Sequence, residues 1–556
     1  MSSTTEIRAR TPADERRFYL VLSVVGTVAL GSTLRLYGLG DWSFWIEEHH
    51  SLRHAANMTS LQDVLTSMRP VFSLLLKPVL ALFGVSEWSA RLVPAIAGTA
   101  TIPYLFWEVR RLFGTRTAVI AALLLAIAPW HIYWSQNARF YTLLLLLSTA
   151  SLLSFYRALE NDSLPYLALA FVTFALSVAT HMLGALLLPV LIAYFILLKL
   201  LRYELPRGYR LRYLLVFILL PLLAYLLMEL VRAILGERAI VADLIGRFMK
   251  GSPRQSFGGY SSPYGTIANT LYYIGTPLAL FSITGALMLF WRKSRAGLLV
   301  SVGAFVPFGI IVALTPFATV SNRYAFMTLA FWIVLAAVAM HRLYRQARRS
   351  RFGVSALILA GIVLLLFKDM AVKDIVYYAS TNLPFRVFTL LLVGVIAPVS
   401  VYLATRPEPH RHRTTVRLVA FVLILPLLHA ILADTLYYAF QDGHRNNWKA
   451  VVDAVADYPD SPNLIVTSSP TLASYYLPEQ TFSPQHIGDV SLEQLFQEEP
   501  RFWVLEDHGF DRAESAEFAG WQGEHCTLVR QADHFVAGRN WRTRAYLCSN
   551  LAHVEG

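Results

Sequence analysis

The chain has 556 residues, of which 56% are hydrophobic and 15% charged, with a formal net charge of +12. Soluble domains carry about a quarter charged residues, so composition excludes a string of water-soluble domains despite the length. The charge does not indicate a nucleic-acid partner either, because the basic residues sit in short segments between apolar runs, the positive-inside pattern of a multi-pass membrane protein.

Residues 1–17 read as a cytoplasmic amino terminus. Arg8, Arg10, Arg16 and Arg17 precede an apolar run from Phe18 to Tyr37 that has no small-residue cleavage site. Roughly 20 helical residues cross the hydrocarbon core, so this run is an uncleaved first span. Further spans are predicted at 88–109, 117–135, 139–158, 164–181, 183–201, 212–235, 267–291, 298–315, 323–341, 353–371, 384–404 and 416–438. With the amino end inside, the strongly basic short loops all fall on one side. They hold Arg110, Arg111 and Arg116, then Arg157, then Arg202 to Arg212, Arg292 to Arg295, Arg342 to Arg351, and Arg406 to Arg417. That agreement supports thirteen spans between residues 18 and 438.

Two long outer loops remain, 38–87 and 236–266. Within the first, Pro70 to Gly84 is apolar but short, and crossing would invert the charge pattern. A helix lying at or dipping into the outer interface is predicted. The second contains the turn signals Gly251-Ser252-Pro253 and Gly258-Gly259. Residues 439–556 are polar, with a helix predicted over Trp448 to Tyr458 and another over Leu492 to Phe496. Short strands are predicted at Asn463 to Thr467, Phe502 to Leu505, Thr527 to Val529 and Ala545 to Leu547, giving a small outer α/β domain. Cys526 and Cys548 could pair if this tail lies in an oxidising compartment, or stay as thiols; their spacing leaves both open.

The segment Asp41 to Leu52 holds two adjacent carboxylates, Glu47 and Glu48, and two histidines, His49 and His50, between aromatic anchors. Carboxylates near hydrocarbon are costly, and burial raises their pKa toward the range of a general base. The plain alternative is a solvated loop helix with its acids in water. Adjacent helical residues point about 100° apart, which argues against both histidines holding one metal ion.

Leu34-Arg35-Leu36 followed by Trp45-Ile46-Glu47-Glu48 resembles the first outer loop of the GT-C glycosyltransferases, in the branch of the protein O-mannosyltransferases and lipid A aminoarabinose transferases. That family's pattern is Trp, one residue, then Asp-Glu; Glu47 stands where it usually has Asp. The resemblance continues in order through Arg69-Pro70, Arg91-Leu92-Val93-Pro94, Arg111-Leu112-Phe113-Gly114 and Pro129-Trp130-His131. Ser135-Gln136-Asn137-Ala138-Arg139-Phe140-Tyr141, Thr180-His181 and Asn322-Arg323-Tyr324 complete it, with Asn137 in place of the family's Glu.

The resemblance implies an all-α GT-C-like membrane domain of about thirteen spans with the small α/β outer domain after it. It implies an inverting glycosyltransferase of the cytoplasmic (inner) membrane, moving a hexose or pentose from a polyprenyl phosphate to a cell-envelope acceptor. Glu47 and Glu48 would be catalytic, and Arg69, Arg139 and Arg323 would bind the donor phosphate. His49, Gln136, Tyr141, His181 and Tyr324 would contact substrate. No metal ligand is assigned, and a divalent cation stays open as a cofactor. A flippase of lipid-linked sugars would instead favour midplane charges and broken helices in paired halves. A polymerase or ligase of related architecture, and a non-enzymatic assembly protein, are the other readings.

Overall fold

The computed structural model describes residues 12–67, 69–234, 236, 259–260, 262–316, 320–349, 370–407, 410–477, 481–487, 495, 497–507 and 516–549. Nine helices among the described residues are long and apolar enough to cross a membrane, or up to eleven if each of two bent helix pairs is one span. The predicted span 164–181 is the shorter apolar helix Leu164–Thr180, and the predicted span 353–371 lies outside the described residues. The chain is thus a multi-pass, mostly helical membrane protein followed by a small sheet.

Two predicted spans are broken. The run 117–135 is two helices, Thr115–Ala126 and Pro129–Ser135, bent by 57°. Pro129 starts the second helix, where its missing N–H costs nothing, but the first helix is left with unpaired terminal carbonyls. Arg35 covers them, its guanidinium donating to Leu125 O and Ala126 O at 2.9 Å each and to the His131 ring at 2.7 Å. The run 267–291 is likewise two helices, Pro263–Ile274 and Thr276–Trp291, bent by 98° at Gly275. Gly275 has φ of +86°, and a Cβ there would meet the His429 ring at 3.0 Å, so only glycine makes this corner without strain.

The first loop is helical rather than open. It contains Ile46–Ala56, Leu61–Thr66 and Pro70–Phe83. Pro70–Phe83 buries Phe72 and Leu76 while exposing Leu75, Leu82 and Phe83, the two-faced pattern of an interfacial helix. At the opposite end of the bundle the basic loops are tied by ion pairs, Arg295 with Glu160 at 2.7 Å, Arg210 with Asp162 at 2.6 Å, and Arg157 with Glu108.

The tail carries a five-stranded sheet in the order Ser483–His486, Leu464–Thr467, Arg501–Glu506, Arg544–Ser549, Cys526–Gln531. The first three strands run parallel and the last two pair antiparallel. Cys526 stands directly opposite Cys548 in that register, and the two form a disulfide. The strand Ser483–His486 and a separate hairpin, His534–Val536 with Arg539–Trp541, are additions to the predicted elements. The predicted helix Leu492 to Phe496 lies almost wholly outside the described residues, as does most of the loop 236–266, whose Gly259–Tyr260 pairs with Val320–Ser321.

The tail is seated on the first loop. One apolar core runs from Phe44 and Leu52 of the loop to Trp448, Val451 and Trp503 of the tail. Polar contacts fix the register: the Phe44 N–H donates to the Tyr476 hydroxyl at 2.6 Å, that hydroxyl donates to Glu87 at 2.8 Å, and Lys449 pairs with Glu87 at 3.0 Å.

Candidate active site

Ile46–Ala56 starts at Trp45, whose backbone N–H is capped by the Glu48 side chain at 3.3 Å. The cap aims Glu48 back into the protein. Its carboxylate takes two hydrogen bonds from Arg91, at 2.8 and 2.9 Å, and one from the Ala138 N–H at 2.7 Å. Arg445, from the segment joining the last span to the tail, lies 3.4 Å away. Glu48 is fully buried, and these contacts tie first loop, membrane domain and tail together. Burial would raise its carboxyl, but Arg91 and Arg445 outweigh that and hold it below the ordinary value.

Glu47, one position earlier on the helix, faces another way. Arg323 donates to both of its oxygens, at 2.5 and 2.6 Å, and Arg139 lies 3.4 Å away. Arg139 also donates to the Glu47 carbonyl at 2.8 Å and to the Ser51 hydroxyl at 3.1 Å. Arg69, ahead of the interfacial helix, stacks on the Phe140 ring at 5.1 Å, and Arg139 does so at 5.2 Å. Three cations therefore surround one carboxylate. The sequence reading expected burial to raise the Glu47 carboxyl, and the structure corrects it. Burial pushes upward, but Arg323, Arg139 and Arg69 outweigh it and the pKa falls below its ordinary value. Burial and the neighbouring guanidiniums lower Arg69 to about 10.

The remaining expected substrate contacts divide. Gln136 is fully buried and saturated: its amide donates to Tyr37 O at 2.7 Å and Leu34 O at 3.2 Å, and its oxygen accepts from Tyr437 at 2.9 Å. It ties the first and last spans together. Tyr141 is equally buried, its ring 4.1 Å from that of Trp134. His181 stacks flat on Phe140 at 4.1 Å, beside Arg69 and Arg139, and its Nδ1 accepts from the Leu183 N–H at 3.1 Å. Tyr324 flanks the Arg323 guanidinium at 5.8 Å. His49 faces the tail, its ring 6.0 Å from that of Tyr475.

A cavity of about 210 Å³ opens beside Arg323, between the loop, the spans and the tail. Trp45, Asn322 and Arg323 line one end, and Trp448, Asp507 and Trp541 line the tail side. His444 also lines it, and burial with the neighbouring His534 and Arg445 holds its ring down to about 3, hence neutral. Sequence reasoning quoted Arg91 within a family motif without giving it a role, and missed the tail residues and Arg445, whose available signal was charge on the side where basic residues are otherwise scarce. Asn137, which replaces a family acid, accepts from the Trp45 indole at 2.9 Å and so fixes that wall. Among the described residues no three His, Cys, Asp or Glu side chains converge in a metal-binding group.

Residues 67–228 match the family model of the dolichyl-phosphate-mannose-protein mannosyltransferases. Nearly the whole chain superposes on crystal structures of ArnT from Cupriavidus metallidurans. Its apo state gives a TM-score of 0.55 at 14% identity, covering 96% of this chain and 98% of that one. The form bound to undecaprenyl phosphate gives 0.54 at 16%, covering 95% and 98%. The archaeal oligosaccharyltransferase AglB from Archaeoglobus fulgidus, in complex with an inhibitory peptide and a dolichol-phosphate, gives 0.51 at 14%, covering 95% and 74%. A search of curated protein sequences finds no match. The fold is that of the GT-C glycosyltransferases, as the sequence resemblance implied.

Proposed function

We propose that this protein is a membrane glycosyltransferase that takes a sugar from a polyprenyl-phosphate donor and places it on a cell-envelope acceptor. The observation that carries the reading is the Glu47 carboxylate held among Arg323, Arg139 and Arg69, with Arg323 also lining the adjoining cavity. The relatives' bound undecaprenyl phosphate and dolichol-phosphate support the donor class. A flippase would not need this carboxylate.

The chemistry follows from the charges. An acceptor oxygen attacks the anomeric carbon from the face opposite the phosphate. The bond from that carbon to the phosphate oxygen breaks, and its electron pair leaves with the polyprenyl phosphate. Arg139 and Arg323, with Arg69 behind them, stabilise the growing negative charge. Glu47 orients the acceptor hydroxyl and takes its proton. A depressed pKa suits that timing, because the hydroxyl becomes strongly acidic only as its oxygen bonds to carbon, and a weak base then suffices. A single displacement inverts the anomeric centre.

We place the site and tail on the outer face of the cytoplasmic membrane. The basic loops gather at the other end of the bundle, and the tail disulfide suits an oxidising compartment. The test is to reconstitute the protein in liposomes with a panel of labelled polyprenyl-phosphate sugars and an envelope extract. Release of polyprenyl phosphate with label passing to the extract is expected. Labelled lipid crossing the bilayer unhydrolysed, with no release, would overturn the reading.

A further inference from the structure

The cavity beside Arg323 carries positive charge from both the membrane domain and the tail. Arg323 reaches it from the Glu47 cluster, with 15% of its side chain exposed. From the tail comes Arg539, exposed, on the strand Arg539–Trp541. Its side chain has no ion-pair or hydrogen-bond partner among the described residues. Arg445 lines the cavity as well, but it is buried and acts there only through its charge. Among the described lining residues Asp507 alone is acidic. It is 3% exposed and accepts from the Ser468 and Ser469 hydroxyls at 2.6 and 2.7 Å, so it does not pair with Arg539.

The charges around the site are out of balance. Arg69, Arg91, Arg139, Arg323, Arg445 and Arg539 gather about only Glu47, Glu48 and Asp507. Crowding like charge costs stability, and binding an anion offsets that cost. A phosphate that joins a lipid to a sugar carries a single negative charge and leaves part of the surplus unanswered. It also has its own partners in Arg139 and Arg69, neither of which lines this cavity.

Arg539 is held in place from the membrane domain. It follows the turn Ala537-Gly538, which has positive φ at both residues. Asp374, from the helix Met370–Thr381, accepts from both turn N–H groups, at 2.8 and 2.9 Å. The Tyr378 hydroxyl accepts from the Phe535 N–H at 3.0 Å, and the Tyr377 ring stacks on Phe535 at 4.0 Å. The backbone of Arg539 is thereby fixed against the membrane domain, which lowers the ordering cost of a ligand that enters between the two.

We propose that Arg539 is a second anion-binding residue, on the tail side of the cavity, and that it takes an acidic group, carboxylate or phosphate, carried by the acceptor. The assignment to the acceptor rests on the transferase reading; the assignment to an anion does not. The tail is then the element that selects the acceptor.

The test is saturation-transfer NMR on the full-length protein in nanodiscs of a zwitterionic phospholipid. Methyl glucuronide and glycerol 3-phosphate are the acidic probes, and methyl glucoside and glycerol their neutral counterparts. At least one acidic probe is expected to bind roughly ten- to a hundredfold more tightly than its counterpart, the scale of a hydrogen bond to a charged group. It should bind still when undecaprenyl phosphate saturates the donor site. Which probe does so tells a carboxylate from a phosphate. Arg539→Ala should abolish the preference, and Arg539→Lys, which keeps the charge but not the planar fork, should keep part of it. Arg539 is exposed and unpaired, so both variants should melt within about two degrees of wild type and separate lost binding from lost fold. Equal binding of acidic and neutral probes, or a preference that survives Arg539→Ala, would overturn the proposal. Displacement of the acidic probe by undecaprenyl phosphate would merge the site with the donor's and overturn it too. Displacement by undecaprenyl diphosphate but not by the monophosphate would assign Arg539 to a second donor phosphate and overturn the acceptor assignment. Acidic-probe binding by a protein that turns over no donor would leave the anion site standing and remove the transferase reading alone.

Discussion

A single nitrogen of the Arg323 guanidinium, Nη1, donates to both oxygens of the Glu47 carboxylate, at 2.5 and 2.6 Å, although 276 positions separate the two residues in the chain. Arg139 and Arg69 add two further positive charges around the same acid. Three guanidiniums against one carboxylate leave a surplus of two, which suits a phosphate that shares Arg139 and Arg323 with Glu47.

Removing either shared arginine should weaken the lipid phosphate. A hydrogen bond to a charged group contributes about 1.5–3 kcal/mol, or roughly ten- to a hundredfold in affinity. Arg323→Ala and Arg139→Ala are expected to lose that much affinity for undecaprenyl phosphate, measured by native mass spectrometry or thermal shift with added lipid. Unchanged affinity in both would remove these arginines from the donor site.

Glu48 has a different task and should fail differently. Breaking a buried ion pair costs about 3–5 kcal/mol because the remaining charge is stranded. Glu48→Ala and Arg91→Ala should therefore lower the thermal midpoint by several degrees and reduce the yield of monodisperse protein. The cut should be similar in both, and smaller in the double variant than the sum of the two. A well-folded but inactive Glu48→Ala would place Glu48 in the chemistry.

The pH dependence separates the two views of Glu47. Its folded pKa is held below the ordinary 4.5, so the stability from its ion pairs is present above 4.5 and is lost as pH falls through the depressed value. The acid limb of the transfer rate should accordingly lie below pH 4.5, and His444, lowered to about 3, adds no limb near neutrality. A limb near pH 6 that disappears in Glu47→Gln would mean that the carboxyl is raised instead.

Asp374 tests the coupling between membrane domain and tail. It is 2% exposed and accepts from the Ala537 and Gly538 N–H groups, from Tyr272 at 2.9 Å and from Gln441 at 3.1 Å. Asp374→Ala should free the hairpin, with amide exchange over residues 534–541 rising by about tenfold or more while the five-stranded sheet stays protected. Uniform protection in the variant would show that the hairpin does not depend on this contact.

The spans were legible because hydropathy and loop charge are local signals, and twelve of the thirteen predicted runs correspond to described helices. The breaks were not. Pro129 and Gly275 are each tolerated at helix ends and in loops, and what makes the first one a corner is Arg35, over 90 positions away. The Trp-Ile-Glu-Glu motif marked the site, yet could not say which acid faces it, since adjacent helical residues diverge by about 100° and both carry the same charge. The structure divides them, Glu47 to Arg323 and Arg139 and Glu48 to Arg91 and Arg445. Arg91 and Arg445 were readable as cations on the charge-poor side, but not their shared partner. The cavity wall was invisible, because Trp45, Arg323, Trp448 and Trp541 meet only once the tail packs on the first loop.

Glu47 is assigned to the transfer as well as to the ion pairs that lend stability above pH 4.5. Glu47→Gln keeps the shape and a hydrogen-bond acceptor while removing the charge, so it should insert, melt within a few degrees of wild type and still bind undecaprenyl phosphate. Its single-turnover release of polyprenyl phosphate from the donor should fall by about 10²–10⁴, the usual worth of a positioned acid or base. Release at the wild-type rate would contradict the account and leave Glu47 as one more partner for the arginines.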